Sequence, residues 1–238
     1  MRILKSGLLW AYAVTALVHL AAEGSHQPAL SAWTKPWLMP LLMGWFLAAA
    51  PAKNKFLRSS LVAALAFSTA GDILLLFSRG PHGNLFFLLG LLAFLFAQIS
   101  YLGGFWVEVG RSKGFLHHSP LAGMALIVFL IGFLYWLLPS VPEGLRLPVV
   151  VYGAALAGMV LSVWHARLRL GEVAFSQAMS GAMLFLLSDC LLAAARFGHS
   201  FPHSGAAIMA TYLGGQWLIV RGVVFYLRGP KAKKPLSI

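Results

Sequence analysis

Long apolar runs separated by short polar breaks make up nearly the whole chain. Eight runs approach the roughly 20 residues that a helix needs to cross a bilayer core: 6–22, 36–51, 59–78, 85–107, 120–138, 147–164, 174–195 and 206–227. Of the basic residues, only Arg221 falls inside a run. The pattern predicts an all-α polytopic membrane protein with eight transmembrane helices. The second run is the weakest, being short and carrying Pro36, Pro40 and Pro51. Pro36 suits a first helical turn, whereas Pro40 is expected to kink the helix. Arg2 and Lys5 before the first run resemble the start of a signal peptide. With seven further runs behind it and no persuasive cleavage site, that run is read as the first membrane helix.

The polar positions inside the runs carry a repeat. Asp72 is followed by Leu74, Leu75, Arg79 and His82, and Asp189, 117 residues later, by Leu191, Leu192, Arg196 and His199. These are the only two aspartates in the chain. A leucine-rich chain can repeat leucines by accident, but the joint return of scarce Asp, Arg and His at equal spacing points to duplication. The two acids are four spans apart. That even separation predicts a parallel repeat, two four-helix halves of about 1–116 and 117–238 within one transmembrane domain covering 1–238. Each aspartate lies six residues from its span's end, or about 9 Å at helical rise. The pair thus shares a depth and is expected to meet between the halves.

Composition agrees with the runs. Hydrophobic residues make up 60% and charged residues 10%, against about 45–50% and 25% in soluble domains. A net charge of +12 would suggest nucleic acid in a soluble protein. Here thirteen basic residues fall on one side of the predicted spans and four (Lys35, Arg79, Arg146, Arg196) on the other. That asymmetry orients helices and contacts lipid headgroups, so membrane lipids and not nucleic acid are the expected partners, with both termini cytoplasmic. The expected location is a multi-pass integral protein of the cell membrane, the inner membrane in a bacterium. Cys190 is alone, so no intrachain disulfide is expected.

An acid inside an apolar run is costly and marks a functional site by default. Two carboxyls close together and out of water can share one proton, giving a general acid beside a carboxylate. Asp72 and Asp189 are therefore the catalytic candidates. The competing structural role has them bonded to Ser68, Thr69 or Ser188. Arg79 and Arg196 follow their aspartates by seven residues, nearly two turns, which puts them at headgroup level. They suit bidentate phosphate binding or, more blandly, anchoring at a helix end. Gln98 with Tyr101, and Tyr212 with Gln216, share helix faces. With Tyr152 and Gln177 they either orient the acids and a water or bond helices together. Gly153, Ala154, Ala157, Gly158, Gly181 and Ala182 read as packing surfaces, and Trp33, Trp37, Trp106 and Trp136 as interfacial belts. The histidines form no recognised metal-ligand spacing, and no nucleotide loop or Ser- or Cys-nucleophile motif is present.

Taken in order, Lys35-Pro36 with Pro40, Ser68-x-x-Gly71-Asp72, Tyr101, Pro148 with Tyr152, Phe185-x-x-Ser188-Asp189 and Thr211-Tyr212-x-x-x-Gln216 resemble the YhhN family of membrane proteins, which includes lysoplasmalogenases. The resemblance covers nearly the whole chain. It implies hydrolysis of the vinyl ether bond of a lysoplasmalogen to a fatty aldehyde and glycerophosphocholine or glycerophosphoethanolamine. It implies Asp72 and Asp189 as the catalytic pair, with Lys35, Arg79 or Arg196 on the phosphate. Tyr152, Tyr212 and Gln216 are then placed at the substrate, with Ser68, Ser188, Gln98 and Tyr101 in support, and no cofactor is required. Two other classes use buried acids. An intramembrane aspartyl protease is one, although Ala70-Gly71-Asp72 lacks the first glycine of the G-x-G-D pattern. A proton-coupled transporter is the other.

Overall fold

A computed structural model describes residues 2–78, 80–110, 114 and 120–229. Its helices are α1 (Arg2–Gly24), α2 (Pro28–Ala49), α3 (Lys55–Leu76), α4 (Gly83–Val109), α5 (Pro120–Leu137, continued by a 3-10 turn, Leu138–Ser140), α6 (Glu143–His165), the short α7 (Arg167–Leu170), α8 (Glu172–Arg196) and α9 (Ser204–Arg228). The described residues contain no strand. Seven helices are long and apolar enough to cross a membrane, and these are all of the long ones except α2. In α2, Ser31, Thr34, Lys35 and three prolines interrupt the apolar sequence.

The start of α2 differs from the expectation. The helix begins at Pro28, which occupies the first turn where a missing N–H costs nothing, and it continues through Pro36 and Pro40. Lys35 therefore stands two turns inside a helix rather than in the break before one. The start of α3 is capped by Asn54, in left-handed geometry at φ 48°, whose side chain accepts from the Leu57 amide.

Helix neighbours run α1, α2, α3, α4, α6, α8, α9 and back to α1, closing a ring, while α5 packs outside it against α6. The α8–α9 pair is drawn together by small residues. A Cβ added at Gly181 would come within 2.6 Å of the Gly215 carbonyl oxygen and the Ile219 nitrogen, so only a glycine lets these backbones approach so closely. The interior holds Phe46, Leu65, Tyr101, Phe105 and Phe185, fully buried. Trp10, Trp33, Leu121, Tyr135 and Leu147 face outward, as they should in a molecule surrounded by lipid.

Candidate active site

Asp72 sits near the C-terminal end of α3 and is only 2% exposed. Its Oδ2 accepts a 2.9 Å hydrogen bond from the Tyr212 hydroxyl of α9. Its Oδ1 lies 3.7 Å from the Lys35 ammonium of α2, whose side chain is 15% exposed. The expectation that Lys35 holds substrate phosphate meets a different placement here: the longer α2 carries this cation inward to the acid. The Tyr212 ring is set edge-on against Phe94 (5.9 Å) and Phe185 (5.5 Å), which fixes where its hydroxyl points.

Asp189, on α8, accepts a 2.5 Å hydrogen bond from the Tyr152 hydroxyl of α6. It also lines a cavity of about 40 Å³, walled by Leu75, Phe87, Leu91, Phe94, Leu192 and Phe197 among others. Tyr152 and Asp189 are the polar members of that lining, and Asp72 is not part of it. Leu75, three residues beyond Asp72, and Phe94, which packs on Tyr212, join the Asp72 cluster to the cavity wall. The sequence distance from Lys35 to Asp72 equals that from Tyr152 to Asp189, 37 residues.

Other candidates take places nearby. The Tyr101 hydroxyl donates to Gln216 Oε1 at 2.5 Å, and Gln216 Nε2 donates to Ser68 Oγ at 3.1 Å. Ser188 Oγ donates to the Ile208 carbonyl and Thr69 Oγ1 to that of Leu65. The hydroxyls that hold the aspartates are thus those of two tyrosines rather than the serines and threonine nearest in sequence. Gln98 is fully buried, and neither atom of its amide finds a hydrogen-bond partner. Arg196 Nη2 donates to Asn84 Oδ1 at 2.8 Å, with its guanidinium over the Phe87 ring of the cavity wall. Arg79 lies outside the described residues. His82 is exposed before α4, and His199 packs on Trp136.

Sequence reasoning missed two residues of α1. The Tyr12 hydroxyl donates to the Leu213 carbonyl, next to Tyr212. His19, wholly buried, pairs its Nδ1 with Thr34 Oγ1 at 2.8 Å, one position before Lys35. A histidine within an otherwise apolar run was the available signal.

The YhhN family matches residues 30–223, a stretch that contains all of these aspartate partners. The chain belongs to the YhhN family. It is similar to lysoplasmalogenase TMEM86B of Sus scrofa, 33% identical over 173 residues that cover 71% of this chain and 64% of the relative. It is also similar to the lysoplasmalogenase of Mycobacterium tuberculosis, 31% identical over 169 residues, 71% of this chain and 61% of the relative. Lysoplasmalogenase TMEM86A of Homo sapiens is 31% identical over 197 residues, 79% of this chain and 73% of the relative. The match thus spans a little under two thirds of the length of the first two. No solved structure matches the chain. In YhhN terms, the site offers one acid balanced by a cation and sealed by aromatic rings, and a second that opens onto an apolar hollow. The second is suited to exchange a proton with a group buried there.

Proposed function

We propose that this YhhN protein is a lysoplasmalogenase, hydrolysing the vinyl ether bond of a lysoplasmalogen by acid catalysis from Asp189. The observation that carries this is Asp189 on the wall of an apolar cavity with Tyr152 bonded to it, in a chain whose relatives are named lysoplasmalogenases. Asp189 donates its proton to the outer vinyl carbon, and the resulting oxocarbenium ion faces the carboxylate left behind. Asp72, balanced by Lys35, adds a fixed negative charge behind Phe94 and Tyr212. Water adds to the cation and returns its proton to Asp189. The hemiacetal then collapses to a fatty aldehyde and the glycerophospho alcohol, so acid and water are both accounted for. Gln98, with a buried and unpartnered amide, is the group we assign to the water. Arg196 and Arg79 are assigned to the phosphate.

The cavity has room for a few water molecules and not for a lipid tail. Substrate entry therefore requires its apolar walls, Leu91, Leu192 and Phe197 among them, to part.

The architecture we infer is eight spans, α2 included, in two parallel halves with cytoplasmic termini. A shift of 117 residues carries α1 onto α5, α2 onto α6, α3 onto α8 and α4 onto α9 within a few residues. It also carries Lys35 onto Tyr152 and Asp72 onto Asp189. The deciding assay follows aldehyde release from a lysoplasmalogen by purified protein in detergent, with no membrane gradient. Wild-type release that is lost in Asp189→Asn supports the hydrolase. Cleavage of a membrane peptide with the vinyl ether left intact overturns it.

A further inference from the structure

At the opposite end of the helices from Asp72, four cations surround a hollow. Lys5 at the start of α1, Lys53 in the α2–α3 turn, Arg58 in the first turn of α3 and Arg228 at the end of α9 line a cavity of about 500 Å³. The end of α2, with Leu47 and Ala49, and the turn residues Pro51 and Ala52 complete it. Arg58 and Asp72 are fourteen residues apart on α3, about 21 Å at helical rise, so this hollow is separate from the candidate active site.

The guanidiniums already do something structural. Arg228 Nε donates to the Ala49 carbonyl at 3.0 Å and Arg58 Nη2 to that of Leu47 at 3.4 Å, closing the C-terminal end of α2. These neutral acceptors do not balance four positive charges, and Arg58 Nε is buried with no partner. The protein's own acids are spent elsewhere. Asp72 is with Lys35, Asp189 with Tyr152, Glu143 with Arg146 and Glu172 with Arg167. Glu23 accepts from Ser31, and Glu108 accepts from Asn54 and Tyr226. These six are every Asp and Glu in the chain, and none of them lines the hollow.

We propose that this hollow is a binding site for a phosphate-bearing anion, supplied by the headgroup of an anionic phospholipid. Position favours the lipid over free phosphate. The cations stand at the ends of membrane helices, level with headgroups, and the exposed Leu47 beside them offers a surface for an acyl chain. Arg supplies the planar fork that phosphate oxygens accept from, and lysines at the membrane surface add charge.

The test uses the full chain purified in neutral detergent. Binding of short-chain phosphatidylglycerol, short-chain phosphatidylcholine and inorganic phosphate is measured by native mass spectrometry and by the shift in melting temperature. The variant is Lys5→Gln with Lys53→Gln, which spares the arginines that close α2. Phosphatidylglycerol is expected to bind well above phosphatidylcholine, and the double variant to weaken it about thirtyfold. Inorganic phosphate that binds as tightly as phosphatidylglycerol, and weakens equally in the variant, keeps the site and makes its source the soluble ion. Equal binding of the two lipids, or undiminished binding in a variant that melts normally, overturns the proposal.

Discussion

Asp72 and Asp189 stand 117 residues apart, and the helices around them treat them differently. Thirty-seven residues before Asp72 stands Lys35, and thirty-seven before Asp189 stands Tyr152. Each reaches its acid, one as a cation at 3.7 Å and the other as a hydroxyl at 2.5 Å. Asp72 also accepts from Tyr212 and is sealed, whereas Asp189 opens onto the cavity. In the architecture we propose, a duplicated scaffold supplies two carboxyls at equivalent positions, and the residue 37 places earlier, Lys35 or Tyr152, separates their roles. The half with the lysine makes a fixed ion pair. The tyrosine leaves its acid without a counter-charge, on the wall of the cavity to which we assign the substrate.

The largest effect should come from the open acid. Asp189→Asn keeps the size of the side chain and removes the transferable proton, so turnover should fall about a thousandfold, within the range for general acids. The helical circular dichroism should be unchanged. Asp72→Asn should act first on stability. It strands the Lys35 ammonium inside the helices, and breaking a buried pair costs about 3 kcal/mol or more. Removing both charges, with Asp72→Asn and Lys35→Met, should restore the melting temperature without restoring turnover. If the double variant melts as low as the single one, the ion pair is not what distinguishes the first half.

How much of this was legible is itself a matter of physics. An unpaired acid in an apolar run is costly enough that Asp72 and Asp189 stood out at once, and helix lengths follow from the same exclusion from water. The partners were harder. Tyr152 and Tyr212 were visible as polar residues at depth, but which neighbour each faces depends on helix rotation, and an apolar run whose lipid face and core face are alike does not encode it. For Lys35 the obstacle is the helix boundary: prolines suggest a start at Pro36, whereas α2 begins at Pro28, so Lys35 lies two turns inside the helix and reaches Asp72. Nothing in the pattern marked the cavity at Asp189, because its walls are the same leucines and phenylalanines that fill the core.

Smaller substitutions probe the tyrosines. Tyr152→Phe removes a hydrogen bond to the reacting carboxyl, and bonds to a group that becomes charged contribute about 1.5–3 kcal/mol. A fall in kcat of roughly tenfold or more is expected. Tyr212→Phe should cost less, because Asp72 keeps Lys35. If the two tyrosine variants lose activity equally, or Tyr212→Phe loses more, the assignment of the proton to Asp189 is reversed.

The least change that touches both halves is one methyl group. A Cβ on Gly71 would lie 2.6 Å from two carbons of the Phe94 ring. The obstacle is a side chain and not backbone, so the ring can give way at a cost of about 1 kcal/mol, the low end for overpacking. Phe94 has Tyr212 on one side and the Asp189 cavity on the other. A displaced ring therefore either loosens the Tyr212–Asp72 bond or narrows the hollow. The two outcomes separate in kinetics: Gly71→Ala should raise KM for the lysoplasmalogen a few fold and leave kcat close to wild type if the ring moves into the cavity. Adding Phe94→Leu, which makes room for the methyl, should bring KM back. An unchanged KM with a lower kcat would mean that the ring's task is to hold Tyr212 on Asp72, and the substrate would then have to reach Asp189 by a path that avoids Phe94.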